Sequence, residues 1–320
     1  MSSSTYHKGV HRLTDGVYAY LQPDGRWGYS NAGFVVGQES TLLVDTLFTV
    51  DLTDQMLSEL RVSDSRAGHI DYVVNTHANG DHCYGNQLVA SSVIIASEAS
   101  ATEVDRDDPR WLQGALDQAS ELGELGEYFS FAFGDFDFRD VVITAPTKRF
   151  SGAMTVELGG RSVELLEVGP AHTAGDVIVH VADASTVFAG DILFIDGTPI
   201  MWAGPVANWI SACQLIEDLE PEFVVPGHGP VTTIAGVRAV RSYLEFFRDH
   251  SVDYHARGMD PWTATLEIKL GAFEKWLDPE RIALNVAMMY HEIDSENFSA
   301  PTALEGFSLM ARYRALRNET

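Results

Sequence analysis

The first part of the chain alternates short apolar runs with polar segments that contain glycine or aspartate. Strands are predicted at residues 17–20, 32–36, 41–44, 70–74 and 93–96. Short apolar runs bounded by turn-forming residues are typical of β-strands. A helix is predicted over about 51–61, because Leu52, Met56 and Leu60 recur at helical spacing. A polar stretch over 98–127 is also predicted to be helical.

The second half repeats this alternation up to about residue 233. Strands are predicted at 163–168, 177–181, 186–189 and 223–225, with a helix near 208–219. Strands that alternate with helices in this way indicate an α/β protein whose sheets are covered by helices.

From about residue 234 the strand signals stop, and helices are predicted at 237–250, 262–275, 279–291 and 302–316. Asp278 is predicted to cap the third of these, with Pro279 in its first turn. We therefore predict a main domain over 1–233 and a helical extension over 234–320 that packs on it. The extension has two candidate roles: it covers a sheet edge or forms a homodimer contact, or it walls a substrate pocket.

Acidic or histidine side chains follow five of the predicted strands. They are Asp45, His77, His172, Asp191 and His228. Strand ends are where functional groups converge in α/β proteins. Neutral imidazole nitrogens and carboxylate oxygens suit Zn(II), with Fe(II), Mn(II) and Co(II) as alternatives. The sequence therefore predicts a metal centre.

Composition narrows the choice of partners. Acidic residues outnumber basic ones 46 to 21, and the formal net charge is −25. Such a field repels phosphate backbones and anionic lipid surfaces, so we expect neither a nucleic acid nor a membrane as partner. The first thirty residues lack an apolar segment typical of a signal peptide, and two cysteines are too few for a disulfide framework. We expect a cytoplasmic protein that acts on a small molecule.

The densest group of candidate ligands is the segment NTHANGDHCYGN, residues 75–86. It places His77, Asp81 and His82 on one loop, where they can face a common point. Asn79 stands where the alternation of the motif suggests another imidazole. Cys83 adjoins His82, but adjacent side chains usually diverge, so Cys83 is not predicted to be a ligand.

Together these motifs resemble the metallo-β-lactamase superfamily over roughly residues 10–233. They are Asp45, the His77-x-Asn79-x-Asp81-His82 segment, GPAHTAGD around His172, FAGDILF around Asp191 and VPGHGP around His228. The resemblance implies a four-layer αββα sandwich with metals between the sheets at one edge.

The resemblance also implies a division of ligands between two metal sites. The first would use His77, position 79 and His172, and the second would use Asp81, His82 and His228, with Asp191 shared. Asp45 would orient the metal-binding loop from behind. Asn79 replaces the family's second histidine, and an amide oxygen is a poor donor to zinc. We therefore expect the main site at Asp81, His82, Asp191 and His228, a weakened first site, and one or two Zn(II) per chain.

A metal ion lowers the pKa of bound water to around 7, so hydrolysis by a metal-bound hydroxide is the predicted reaction. Candidate substrates carry an ester, lactone, thioester or related bond. Asp81, His77 and His172 are the candidate catalytic groups, through water orientation and proton transfer. Aromatic residues in predicted loops could line the pocket; these are Trp27, Tyr29, Trp202 and Trp209. A helical lid could bring His291 there.

Two other functions remain open from the sequence. A non-haem iron redox enzyme of the same fold, similar to a sulfur dioxygenase, could use the same histidines and carboxylates. Alternatively, the Asn79 replacement could mark a degenerate site that binds a small molecule without turnover. Metal content, oxygen consumption and the effect of a chelator would separate these from a hydrolase.

Overall fold

Two β-sheets form the centre of the protein, for which a computed structural model describes residues 6–318. The first sheet has seven strands in chain order: β1 (Gly9–Thr14), β2 (Val17–Leu21), β3 (Ala32–Val36), β4 (Thr41–Val44), β5 (Tyr72–Val74), β6 (Val93–Ser97) and β7 (Lys148–Phe150). Strands β1 to β4 pair antiparallel, and β4 to β7 pair parallel.

The second sheet has five strands: β8 (Ala153–Glu157), β9 (Ser162–Glu167), β10 (Val177–Val181), β11 (Thr186–Phe194) and β12 (Phe223–His228). Their order is β12-β11-β10-β9-β8. Strands β11 and β12 pair parallel, and the other neighbours pair antiparallel. The carboxyl ends of β11 and β12 therefore lie at the same edge, as do those of β4 and β5.

The α-helices are α1 (Val50–Ser63), α2 (Gly80–Cys83), α3 (Glu98–Val104), α4 (Pro109–Asp117), α5 (Glu124–Phe133), α6 (Val206–Asp218), α7 (Ile234–Ala256), α8 (Pro261–Glu267), α9 (Ile282–Ile293) and α10 (Ala303–Asn318). Helix α1 begins where predicted, with the Thr49 hydroxyl accepting a hydrogen bond from the backbone N–H of Leu52 at 3.2 Å. Among residues 6–318, no helix is both long enough and apolar enough to span a membrane.

Successive side chains of a strand point to opposite faces of its sheet, and each face packs against a different layer. Val17 and Ala19 of β2 join an apolar core with Val179 of the second sheet, whereas Tyr18 and Tyr20 pack with the apolar residues of α1. The opposite face of the second sheet packs against α6 and α7, with α9 packed on α7 and α10 packed on α5 and α9. The protein is thus an α/β sandwich of four layers with C-terminal helices, which confirms the predicted fold class. The boundary between 233 and 234 stays a prediction.

Some local predictions were wrong. Strands β1, β7 and β8 were not predicted, because each lacks a continuous apolar run, and β7 and β8 are also largely exposed. The helix expected over 262–275 is confined to α8, and a short 3-10 turn follows at Gly271–Phe273. Asp278 has a φ of 51° and makes no capping hydrogen bond. Its carboxylate instead lies 3.0 Å from the buried guanidinium of Arg281.

Candidate metal centre

Asp45 lies directly after β4 and reaches across to the loop after β5. Its Oδ1 accepts a hydrogen bond from the backbone N–H of Thr76 at 2.7 Å, and its Oδ2 accepts from the Thr76 hydroxyl at 2.8 Å. Oδ2 also lies 2.9 Å from Nδ1 of His82. A carboxylate oxygen only accepts, so Nδ1 of His82 carries a proton, and Nε2 is the nitrogen left to bind a cation. Asp45 therefore orients His82, as expected from the sequence.

Asp191 lies inside β11 and not after it, contrary to the prediction. Gly190, with a φ of 50°, interrupts the regular pairing of β11 with β12. A bulge of this kind turns the next side chain out of the ordinary strand direction. Gly227 completes the arrangement, because a Cβ there would lie only 1.8 Å from Oδ1 of Asp191. Two glycines thus permit the position of this carboxylate.

His172 and His228 are oriented through backbone carbonyl groups. Nδ1 of His172 donates to the carbonyl of Ile200 at 2.6 Å, and Nδ1 of His228 donates to that of Gly25 at 3.1 Å. The ring of Phe194 stacks on His228, with 5.1 Å between centroids and 1° between planes. In each ring Nδ1 is the donor to the backbone, so Nε2 faces the interior of the site.

The donor atoms of the predicted main site converge. Nε2 of His82 lies 3.1 Å from Oδ1 of Asp191, and Nε2 of His228 lies 3.2 Å from Oδ2 of Asp81. Ligand atoms of Asp81, His82 and His228 all lie within 4.8 Å of one another, as do those of His77, His82 and Asp191. This mixed nitrogen and oxygen set is one that Zn(II), Fe(II) or Mn(II) accepts.

Two atoms of this set lack the hydrogen bonds that burial normally requires. Nε2 of His82 and Oδ1 of Asp191 are both buried, and apart from each other, at 3.1 Å, neither has a hydrogen-bond partner among the described residues. An orphaned donor or acceptor in the interior is costly unless another group satisfies it. A cation between these atoms would satisfy both, so the residues present fit a metal ion.

The electrostatics of the metal-free site show strong coupling between its charges. Burial alone would lower the pKa of His228, but Asp191 and Asp81 raise it to about 9. Burial alone would likewise lower the pKa of His82, and the carboxylates of Asp191, Asp81 and Asp45 raise it well above its usual value. Protons on His82 and His228 therefore neutralise part of the carboxylate charge that a divalent cation would neutralise when bound.

The predicted first site is arranged differently. Oδ1 of Asn79 lies 3.1 Å from Nε2 of His77 and 2.8 Å from Nε2 of His172. Both imidazoles also approach Oδ2 of Asp191, at 3.8 Å for His77 and 3.4 Å for His172. Burial lowers the pKa of His172 to about 4 and that of His77 well below its usual value. The two rings are therefore neutral near pH 7.

Cys83 is not among the grouped donors. Its Sγ donates to the carbonyl of Ala78 at 3.4 Å, and burial raises the pKa of the thiol. His291 does not line the pocket either, because its ring nitrogen bonds to the carbonyl of Phe298.

A cavity of about 430 Å³ opens beside the donor set. Eight aromatic side chains line it: Trp27, Phe48, Tyr84, Trp111, Phe133, Phe194, Trp202 and Phe307. Trp27 and Trp202 were predicted for this role, whereas Tyr29 is absent from the lining and Trp209 lies within α6, fully buried. His172 reaches the cavity, but His77 does not.

The C-terminal helices contribute directly to this cavity. Arg281, Ala303 and Phe307 line it, and the Arg281 guanidinium lies 4.2 Å from the ring centroid of Trp27. Of the two roles considered for the extension, the structure shows a pocket wall. Arg281, Phe307 and Thr76 were not predicted as site residues. Only Thr76 had a local signal, since it directly precedes His77 in the loop motif.

Comparison with known proteins agrees with this geometry. The family model described as the metallo-beta-lactamase superfamily matches residues 25–228. The match spans more than half of the chain, so the protein belongs to the metallo-β-lactamase superfamily.

Among curated proteins, the chain is 23% identical over 253 residues to the Beta-lactamase-like protein 2 homolog of Caenorhabditis elegans, covering 77% of this chain and 72% of that protein. Among solved structures, it is similar to a metallo-beta-lactamase from Pontibacter korlensis, with a TM-score of 0.56, 18% identity, and coverage of 75% of this chain and 99% of the other. The structure of TMB-1 has a TM-score of 0.55 at 16% identity, with coverage of 75% and 98%. At these identities the structures show a shared fold.

Proposed function

We propose that this protein is a metal-dependent hydrolase that cleaves an ester, lactone, thioester or related bond in a small molecule. The main support is a pair of buried atoms, Nε2 of His82 and Oδ1 of Asp191, which lie 3.1 Å apart and have no other hydrogen-bond partner among the described residues. With Asp81 and His228 they form a donor set suited to one divalent cation, for which Zn(II) is our assignment.

A divalent cation bound there would act as a Lewis acid and make a bound water molecule acidic enough to supply the nucleophile near neutral pH. The remaining tasks belong to the protein. Asp81 is the most exposed of the four main donors, with 14% of its side chain accessible, and it lines the cavity. Its carboxylate is placed to orient a water molecule.

His172 also lines the cavity, and we assign it a role in transferring a proton or contacting a substrate oxygen. His77 is the other histidine predicted to be catalytic. It is fully buried and does not line the cavity, so it does not contact a substrate bound there. We therefore assign His77 a positioning role behind Asn79.

The cavity indicates the kind of molecule that would bind. A wall of aromatic rings favours a substrate with an apolar group of aromatic size. Polar groups also line the cavity, from Glu103, Arg106, Asp107 and Arg281, and could fix the orientation of that group. The net charge of −25 disfavours a polyanionic substrate such as a nucleic acid.

A substrate screen with metal analysis tests this proposal. Purified protein would be loaded with Zn(II) and assayed on aryl esters, lactones, thioesters and β-lactams, before and after a chelator and after Zn(II) is restored. We expect turnover that disappears and returns with the metal. His82→Ala should lose both the cation and turnover. His180→Ala is the control, because His180 bonds to Glu164 on β9, outside the metal centre.

Three results would overturn the proposal. Turnover that persists in His82→Ala would place the chemistry elsewhere. Native iron with substrate-dependent oxygen consumption would assign a redox reaction to the same donors. Ligand binding by the metal-loaded protein without turnover in any substrate class would indicate a degenerate site.

A further inference from the structure

The side-chain amide of Asn79 determines how many cations the metal centre can hold, a role that rests on the proposed function. The amide lies between the two imidazoles of the predicted first site. One of its terminal atoms, Oδ1, is 2.8 Å from Nε2 of His172 and 3.1 Å from Nε2 of His77. Both distances are within hydrogen-bonding range. The proton positions on the two rings decide which amide atom belongs there.

The tautomer of His172 follows from its other nitrogen. Nδ1 lies 2.6 Å from the carbonyl oxygen of Ile200, which can only accept. Nδ1 of His172 therefore carries the hydrogen. A neutral imidazole has one N–H, so Nε2 presents a lone pair toward Asn79.

The tautomer of His77 follows from Thr76. The Thr76 hydroxyl has one hydrogen, and it donates this to Oδ2 of Asp45 at 2.8 Å. Nδ1 of His77 lies 3.1 Å from the same hydroxyl oxygen. Because that hydrogen is already used, Nδ1 of His77 must be the donor. Its Nε2 then also presents a lone pair toward Asn79.

An amide oxygen facing two lone pairs would be repelled, whereas an NH2 group has two hydrogens to donate. A half-turn of the amide exchanges Oδ1 with Nδ2, and the two atoms are distinguished by their hydrogen-bond partners. We propose that Nδ2 of Asn79 donates to both imidazoles and occupies the position of the first metal. His77 and His172 are then held by an internal hydrogen-bond donor, and the chain binds a single divalent cation at Asp81, His82, Asp191 and His228.

Metal counting tests this assignment. Metal-free wild-type protein titrated with Zn(II) should saturate at one equivalent per chain. Asn79→His should bring the count to two, because it replaces the donor with a third imidazole beside His77 and His172. Asn318→His, which adds an imidazole at the exposed end of α10, is the control and should remain at one. A wild type that holds two equivalents tightly, or an Asn79→His variant that stays at one, overturns the inference.

Nitrogen NMR of the histidine rings provides a readout that does not depend on metal. In metal-free wild type, His77 and His172 should both carry the hydrogen on Nδ1, with Nε2 accepting a hydrogen bond. Asn79→Leu removes the donor at similar side-chain size and should shift both Nε2 resonances toward the free acceptor. An Nε2–H on either ring would show that the amide oxygen makes the contact, and the inference would be wrong. Wild-type protein that retains no cation would instead overturn the proposed function, while the ring tautomers still decide the role of Asn79.

Discussion

The carboxylate of Asp45 and the imidazole of His82 share a buried hydrogen bond of 2.9 Å between Oδ2 and Nδ1. The same carboxylate accepts two hydrogen bonds from Thr76, so its orientation is fixed. Asp45 has a φ of 63°, a left-handed conformation that asparagine tolerates better than alanine does. Asparagine is therefore the informative replacement at this position.

We expect Asp45→Asn to weaken metal binding by about 10–100-fold, the usual effect of losing a partner behind a ligand. If the amide oxygen stays with the Thr76 N–H, the NH2 group faces Nδ1 of His82. The ring must then move its hydrogen to Nε2, which removes the lone pair that would face the cation. Competition between protein and a chelating dye measures the affinity. An unchanged affinity would reduce Asp45 to a structural role.

Metal affinity should also depend on pH. The pKa of His228 is about 9 in the metal-free protein, where Asp191 and Asp81 overcome the effect of burial. Below that pH a cation must displace the proton, so affinity should rise with pH by roughly tenfold per unit for each proton released, and the contribution of His228 to this rise should end above about 9. Chelator competition from pH 6.5 to 9.5 tests this. A flat profile would mean that the imidazole is already neutral in the metal-free protein.

Replacement of Gly227 tests the close packing around Asp191. The added methyl group of Gly227→Ala would lie 1.8 Å from Oδ1 of Asp191, so the carboxylate must move and metal binding should fall at least as far as in Asp45→Asn. Gly114→Ala is the matched control. A Cβ at Gly114 meets nothing within 4 Å, and its place in α4 predicts a gain of about 0.5–1 kcal/mol in stability. Normal metal affinity in Gly227→Ala would show that the carboxylate tolerates displacement.

Phe307 of α10 joins the C-terminal helices to the cavity wall. Its ring lies 5.7 Å from that of Trp27 and 5.5 Å from that of Trp202. Phe307→Ala should reduce the free energy of unfolding by about 3–5 kcal/mol, measured in urea, because a buried aromatic ring is lost. Leu316→Ala on the same helix should change it by no more than about 0.5 kcal/mol, since Leu316 is 40% exposed. Equal losses in the two variants would contradict a packed wall.

The ease of prediction differed between these residues for physical reasons. Asp45, His172 and His228 could be predicted because each ends or closely follows a short apolar run that is visible in the sequence. The sequence prediction places Asp191 after its strand, because Gly190 follows the apolar run that ends at Ala189. The strand continues through the irregularity at Gly190, which only the pairing with β12 reveals.

Residues that enter the site through long-range packing gave no comparable signal. Phe194 reads as an ordinary strand residue, yet it stacks on His228. Phe307 reads as one apolar position of a helix, and its contact with Trp27 joins segments far apart in the chain. Asn79 could be identified as a departure from the family motif. The nature of its contacts with two histidines depends on the tautomers of the two rings. The Ile200 carbonyl and the Thr76 hydroxyl set those tautomers, and sequence spacing does not encode such contacts.

The main donors come from both halves of the sandwich, with Asp81 and His82 in α2, which follows β5 of the first sheet, and Asp191 and His228 on strands of the second. Direct hydrogen bonds also join the two halves at this edge, such as the one from the Val177 N–H to the Thr76 carbonyl at 2.8 Å. A cation held there would add bonds that exist only while the halves are assembled. At a free concentration 100 times its dissociation constant it would stabilise the folded chain by about 2.7 kcal/mol. Since unfolded chains are the ones that proteases remove, the cellular abundance of this protein, and not its catalytic rate alone, would then follow the supply of metal.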